Sequence, residues 1–257
     1  MKTLVSLLTL TVLLISSASD SIAQKRRLVS KPTASTSSKT KEIGSTAVVI
    51  DETLSVLRSR PSLFAEPIQR MRRGRRVVIQ GIAEADGVRF YKVAAPPSNF
   101  GWVQADAVFG SFRSGDEERL ARLVQAADGF DQIEIAVEFL DLYPKSAFRP
   151  VILLLFGDLL EEVAAKLTKD SSSRLTRREM AASGAPAHSY FLNFVSLDRY
   201  RKLGIIFLFN PATRAFHYDG SSWNEIVAKY PTSTEATEAQ KRLDSLKQKM
   251  EATAAAK

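Results

Sequence analysis

The hydrophobic pattern of this chain changes its period once, near residue 112, and that change limits the possible folds more than any other feature. Before it, short runs of β-branched and aromatic residues alternate with turns that contain glycine or proline. After it, apolar residues recur at helical spacing, as at Leu120, Leu123 and Val124. The sequence therefore predicts an all-β domain over residues 45–112 and an all-α domain over residues 113–257.

The first residues follow the pattern of a secretory signal peptide. Lys2 precedes a largely apolar run over residues 4–15, and the small residues Ser21 and Ala23 lie just before a cleavage position. A membrane-spanning helix needs about 20 apolar residues, and this run is well short of that length. We therefore expect residues 1–23 to be cleaved on export, which leaves a periplasmic or secreted protein without a membrane span.

Composition excludes several classes of protein. With no cysteine and two histidines, the chain offers no disulfide scaffold, no cysteine nucleophile and no multi-histidine metal centre, so we expect neither a cofactor nor a metal ion. The surplus behind the formal net charge of +8 lies entirely before residue 113. Residues 24–44 are rich in Ser, Thr and Lys and have few apolar side chains. Such a segment cannot bury enough apolar surface to fold, so we expect a flexible basic linker there.

Residues 46–110 carry a series of short motifs in a fixed order. These are Leu54-Ser55-Val56, Arg58-Ser59-Arg60-Pro61-Ser62, Met71-Arg72-Arg73-Gly74, Phe90-Tyr91-Lys92-Val93 and Gly101-Trp102-Val103. Their order and spacing resemble bacterial SH3-like (SH3b) domains, although Leu57 is an insertion and Arg60 stands where that family usually has glycine. The resemblance implies a small β-barrel that recognises cell-wall peptides or partner proteins and does not catalyse a reaction.

Within this resemblance, the ligand-binding residues are Trp102 together with Phe100, Tyr91 and Arg58. Two interpretations of Trp102 stay open, because in so small a barrel the indole could instead fill the core. Phe90 and Tyr91 are neighbours on one predicted strand, so we expect one ring to face the core and the other to face solvent. Only the outward ring could contact a ligand.

Four arginines surround a glycine at a predicted hairpin tip. They are Arg72, Arg73, Arg75 and Arg76. Such a cluster can attract an anionic polymer, for example wall carboxylates, teichoic-type phosphates or lipid headgroups. The alternative, which we favour, is a solvated turn whose charges protect an edge strand. Nucleic acid would match the charge, but we do not expect an exported protein to meet it.

The second half repeats a tyrosine-proline-x-serine turn. Tyr143-Pro144-Lys145-Ser146 and Tyr230-Pro231-Thr232-Ser233 each lie between two apolar helical segments. This unit resembles the tetratricopeptide-like repeats of bacterial envelope proteins. The resemblance implies stacked helical hairpins whose concave face binds a second protein. The alternative is a closed helix bundle without an open groove.

Two further patterns in the second half predict helix. Asp131 with Glu134 forms a predicted capping box ahead of one apolar helical segment. The apolar run at residues 205–209 follows a stretch of aromatic residues at helical spacing, and we assign it to the helical domain.

Catalysis would need a nucleophile beside a base, paired carboxylates or a set of metal ligands. His188 and Ser189 are adjacent in sequence, and adjacent side chains seldom face each other. His217 and Asp219 lie in an aromatic stretch where a structural role is the simpler interpretation. We therefore expect no enzyme, but an adaptor whose barrel binds cell-wall material or a wall-associated partner and whose helices bind a second protein. The alternative is a structural envelope scaffold that acts through protein contacts without wall binding.

Overall fold

The β part of the chain is a curled half-barrel in the computed structural model, which describes residues 41–97, 99–175 and 187–252. Its strands are β1 (Thr46–Val49), β2 (Val56–Arg58), β3 (Pro67–Arg70), β4 (Arg76–Ala85), β5 (Val88–Ala95), β6 (Asn99–Gln104) and β7 (Val108–Phe109). Over these described residues they form one seven-stranded sheet in the order β3-β2-β6-β5-β4-β1-β7, and the strand pairs are antiparallel. The predicted all-β character of this half is confirmed, while its SH3-like identity stays a prediction.

The sheet curls around an apolar inner face. Inward-pointing side chains such as Leu57, Ile79, Val93 and Val103 are fully buried in one cluster. The β4–β5 pairing shifts its register after Ile79, and such a bulge bends a sheet and increases its twist. Because side chains alternate along a strand, the residues between these core positions point to the outer face.

A mainly helical part follows. Its helices are α1 (Asp116–Ala126), α2 (Gly129–Leu142), α3 (Arg149–Arg174), α4 (Ala187–Leu192), α5 (Asp198–Arg201), α6 (Ser221–Lys229) and α7 (Thr234–Glu251). The long helix α3 is central, because α2, α6 and α7 all contact it. This arrangement around one helix favours the closed bundle over a regular open solenoid.

The prediction of an all-α second half is wrong over residues 207–218. Strands β8 (Phe207–Asn210) and β9 (Ala215–Tyr218) pair there as an antiparallel hairpin against α3. A short apolar run is compatible with a strand as well as with a buried helix, and aromatic residues favour the strand. The rings of Phe209 and Phe216 lie 4.6 and 6.1 Å from that of Phe191 on α4, so the hairpin closes an aromatic cluster.

Both tyrosine-proline turns join helices as predicted. Ser146 N donates a hydrogen bond to Tyr143 O (3.1 Å) between α2 and α3. Ser233 N donates the equivalent bond to Tyr230 O (3.0 Å) between α6 and α7. The two turns therefore have the same local hydrogen bond, while the tetratricopeptide-like identity of the surrounding helices stays a prediction.

The sheet and the helices share a core. Val48, Ile50 and Phe109 belong to the same buried apolar cluster as Leu120 and Val124 of α1. All described residues accordingly fall in one compact unit of the chain. The helical part therefore covers one edge of the sheet and leaves the outer face of β5, β6 and β2 as the candidate binding surface.

The predicted signal peptide and residues 24–40 of the predicted linker lie outside the described residues, as do residues 176–186. The last residues of that linker belong to the fold, because Gly44 N donates to Ile79 O (2.8 Å) and Glu42 forms an ion pair with Arg89 (2.7 Å). Of the helices in the described ranges, none has the length and apolar character needed to cross a membrane.

Candidate functional site

An apolar strip crosses the outer face of the sheet. Val78, Ala94 and Phe100 are register partners on β4, β5 and β6. Directly opposed side chains in antiparallel strands have Cβ atoms about 4.5–5.5 Å apart, so the three are in line and in contact range. Phe100 is 58% exposed and Val78 is 40% exposed. The strip is therefore exposed at its two ends and partly exposed at Ala94.

Trp102 lies beside this strip, two residues from Phe100 on the same face of β6. Its register partners are Lys92 on β5 and Arg58 on β2, so the indole lies between two cationic side chains. Trp102 is partly exposed, and its neighbour Val103 is the residue that enters the core. The interpretation in which Trp102 fills the core therefore does not hold.

Tyr91 is placed differently from the prediction. The ring is fully buried in the inner core, where its edge meets Phe112 with the centroids 6.3 Å apart. Phe90 points to the outer side of β5 but is fully buried as well. The assignment of Tyr91 to a ligand surface is thus wrong, since neither ring of this pair is exposed.

The loop between β2 and β3 adds a third aromatic ring to this region. Asp86 Oδ2 accepts a hydrogen bond from Leu63 N (2.8 Å), and Arg58 Nη1 donates to Ala65 O (2.8 Å). Phe64 lies between these two anchored positions and is 89% exposed. The fold thus fixes the backbone on both sides of Phe64 while its ring stays in solvent.

We refer to this surface as the aromatic platform. It consists of Arg58, Phe64, Val78, Lys92, Ala94, Phe100 and Trp102. It provides aromatic rings for stacking and two cationic groups, a combination that suits noncovalent binding of a ligand laid across the strands.

Arg73, one of the four clustered arginines, joins the sheet to α2. Its Nη1 lies 2.8 Å from Glu134 Oε2 and 3.4 Å from Asp131 Oδ1, and its Nε donates to Ile50 O (3.0 Å). The side chain is 12% exposed. Arg73 is therefore an internal ion-pair partner and is not available to an external polymer.

The other three arginines differ in their surroundings. Arg76 pairs with Asp141 of α2, and Arg75 donates a hydrogen bond to Pro96 O. Arg72 is exposed, and within the described residues its side chain makes neither an ion pair nor a hydrogen bond. The cluster thus serves mainly to hold the fold together, and only part of the predicted anion-binding surface is left to interact with a polymer.

We expect Arg73→Met to lower the free energy of unfolding by about 1 kcal/mol, because it leaves the partly buried Glu134 carboxylate without its partner. Urea unfolding followed by circular dichroism measures this loss. Arg72→Met is the matched control and should change stability by less than about 0.5 kcal/mol. Equal losses of unfolding free energy in the two variants would contradict the conclusion that the Arg73 ion pair stabilises the contact between the sheet and α2.

The two histidines and their neighbours do not form a nucleophile–base pair. His217 Nδ1 lies 3.0 Å from Glu161 Oε1, and that carboxylate also accepts hydrogen bonds from Tyr218 N (2.9 Å) and Lys249 Nζ (2.8 Å). His188 instead lies against the ring of Phe209. In the part of the chain that the structure describes, no cluster of three or more His, Asp or Glu side chains could hold a metal ion.

A cleft of about 430 Å³ lies between α3 and α7. Its charged walls neutralise each other, because Arg242 pairs with Asp158 (3.2 Å) and Lys249 pairs with Glu161 (2.8 Å). The cleft therefore presents no uncompensated charge from these pairs, in contrast to the aromatic platform.

Of the residues of the aromatic platform, the sequence predicts Trp102, Phe100 and Arg58 as candidates but not Lys92 or Phe64. Lys92 stands within one of the quoted motifs, but its place beside Trp102 follows only from strand register. The exposure of Phe64 depends on how its loop is anchored.

Comparisons of this chain with protein-family models, curated proteins and solved structures give no match.

Proposed function

We propose that this protein is a non-enzymatic binding protein whose aromatic platform recognises cell-wall peptidoglycan or a wall-associated partner. The observation that supports it is the exposure of Phe100 and the partial exposure of Trp102 on the outer face of β6, together with the exposed ring of Phe64 on the loop that Arg58 anchors. Burying apolar surface is worth about 25 cal/mol per Å², so an exposed aromatic group is a ready source of binding energy. The resemblance of residues 46–110 to SH3-like domains supports the same conclusion.

The chemistry of the platform favours binding over catalysis. Trp102 and Phe100 offer flat apolar surfaces, and Arg58 and Lys92 offer positively charged hydrogen-bond donors. A ligand with extended backbone and alternating apolar and polar groups can use both kinds of contact along neighbouring strands. Wall peptides have this character, and the predicted export of the chain would bring it to them.

The helical part supplies the second element of the proposal, which is contact with another protein. Apolar side chains are exposed at Leu192, Val195 and Ile206, all close together in the sequence. Exposed apolar groups of this kind commonly mark protein contacts. The protein would then connect the wall to a partner. In the alternative, the protein is a structural scaffold that makes only the protein contact and does not bind the wall.

We expect Trp102→Ala to reduce retention of the purified protein on isolated cell-wall sacculi by at least about tenfold. Truncating a central tryptophan of an interface typically costs 2 kcal/mol or more, and about 1.4 kcal/mol corresponds to a tenfold change. The measurement is co-sedimentation with sacculi at low and high salt. Val195→Ala, which removes an exposed apolar group from the helical part, is the control and should leave retention unchanged.

The salt dependence separates the possible results. Retention that persists at high salt and fails in Trp102→Ala supports recognition by the platform. Retention that disappears with salt in the wild type shows only electrostatic attraction by basic residues. Absence of retention at any salt concentration overturns wall recognition and favours the scaffold.

A further inference from the structure

Among the residues that the structure describes, the two cations beside Trp102 have no acidic partner. The Lys92 ammonium makes no ion pair or hydrogen bond within the described residues. Arg58 Nη1 donates to a carbonyl oxygen, Ala65 O, and Arg58 Nε is buried with no hydrogen-bond partner in the described part of the chain. Other arginines of the fold, such as Arg149 and Arg242, are paired with carboxylates. The charge on the platform is therefore uncompensated.

The outward positions of β4, β5 and β6 in the rows beside Trp102 carry no carboxylate, and the Asp86 carboxylate is held by Ser62 Oγ and Leu63 N at the β2–β3 loop. Those outward positions are Gly81, Ala83, Phe90, Ala94, Phe100 and Gln104. These side chains are apolar or neutral, so nothing among them screens the cations. A positive potential next to an aromatic surface attracts an anionic group.

We propose that the platform selects an acidic peptide segment whose carboxylate pairs with Lys92 and Arg58 while its apolar part lies on Trp102 and Phe100. This inference rests on the proposed function and names the ligand chemistry of that same site. Strands β5 and β2 lie on either side of β6 at about 4.8 Å each, so both cationic residues lie one strand spacing from Trp102. A guanidinium and an ammonium together suit a carboxylate, which offers two acceptor oxygens.

The test compares native sacculi with sacculi whose carboxylates have been converted to amides by carbodiimide and ammonia. We expect amidation to lower retention of the wild-type protein about tenfold. Lys92→Gln should lose about fivefold on native sacculi and nothing further on amidated ones, and Lys92→Arg should retain most of the binding. Lys202→Gln, an exposed lysine of the helical part, removes the same charge and should bind as the wild type does.

A soluble probe tests the inference independently of the wall. A Glu-Ala repeat hexapeptide should change the fluorescence of the wild-type protein and not of Trp102→Phe, in which only the buried Trp223 is left. The Gln-Ala counterpart should have no effect on either protein.

Each failure has a separate meaning. Equal retention on native and amidated sacculi, or an equal loss in Lys92→Gln and Lys202→Gln, overturns the carboxylate inference and leaves wall recognition intact. Absence of retention on both kinds of sacculi, together with a response to the acidic hexapeptide, overturns wall recognition and supports an acidic protein partner. Absence of both signals overturns both proposals.

Discussion

Replacing Gly157 with alanine is expected to lower the free energy of unfolding by about 2 kcal/mol, although alanine is the better helix former. Gly157 lies within α3, where an added Cβ atom would be 2.3 Å from Trp223 Nε1 and 2.7 Å from Ser222 Oγ. Trp223 is 2% exposed and packs edge-on against Tyr218, so it has little room to move. Overpacking of about 3 kcal/mol outweighs a helix-propensity gain of about 1 kcal/mol.

A double-mutant cycle separates the steric effect from the helix propensity. Thermal unfolding should show a decrease in Tm of about 4–8 °C for Gly157→Ala, since 1 kcal/mol shifts Tm by about 2–4 °C in a chain of this size. In a Trp223→Leu background the smaller side chain leaves space, so the same substitution should be neutral or slightly stabilising. An equal loss in both backgrounds would show that contact with Trp223 is not the cause.

Part of the fold follows from local patterns in the sequence. The change of hydrophobic period near residue 112 correctly separates a β part from a mainly helical part, because each period matches the geometry of its own secondary structure. The run at residues 205–209 is apolar at every position, so it has no period that distinguishes a strand from a helix. The hairpin that it forms with β9 packs against Phe191 and α3, and the hydrophobic pattern does not show those contacts.

The site was predictable to a similar extent. Trp102 and Phe100 share one face of a strand by simple alternation, and the structure places both on the outer face. Alternation also predicts that one ring of Phe90 and Tyr91 faces out, but it does not say whether that outer position is covered. Phe90 is covered, so exposure depended on tertiary packing that no local pattern contains.

Charged motifs were the least informative from sequence alone. Asp131 and Glu134 match a capping box, yet α2 begins at Gly129 with Asp128 as its N-cap, and both carboxylates lie near Arg73 instead. A local cap and a distant ion pair require the same residue types, and only the docking of α2 against the sheet decides between them. The arginine cluster was ambiguous for the same reason.

Glu161 is a second residue whose role depends on distant partners. Burial alone would raise the pKa of this carboxyl, but hydrogen bonds from His217, Lys249 and the backbone of Tyr218 outweigh burial and lower the pKa to about 2. The carboxylate thereby connects α3 to β9 and α7. Because the folded-state pKa lies below the ordinary value of 4.5, its contribution to stability is complete above about pH 5 and is lost as the pH falls towards 2.

We expect Glu161→Gln to lower the free energy of unfolding by about 2 kcal/mol at pH 7, because a neutral amide replaces an acceptor of charged hydrogen bonds. The difference from the wild type should shrink steadily between pH 4.5 and pH 2, where the wild-type carboxyl itself becomes protonated. Urea unfolding at a series of pH values measures both effects. Glu162→Gln, which changes an exposed carboxylate next to it on α3, should differ little from the wild type at any pH. A Glu161→Gln deficit that stays constant down to pH 2 would mean that the carboxylate charge does not hold α3, β9 and α7 together.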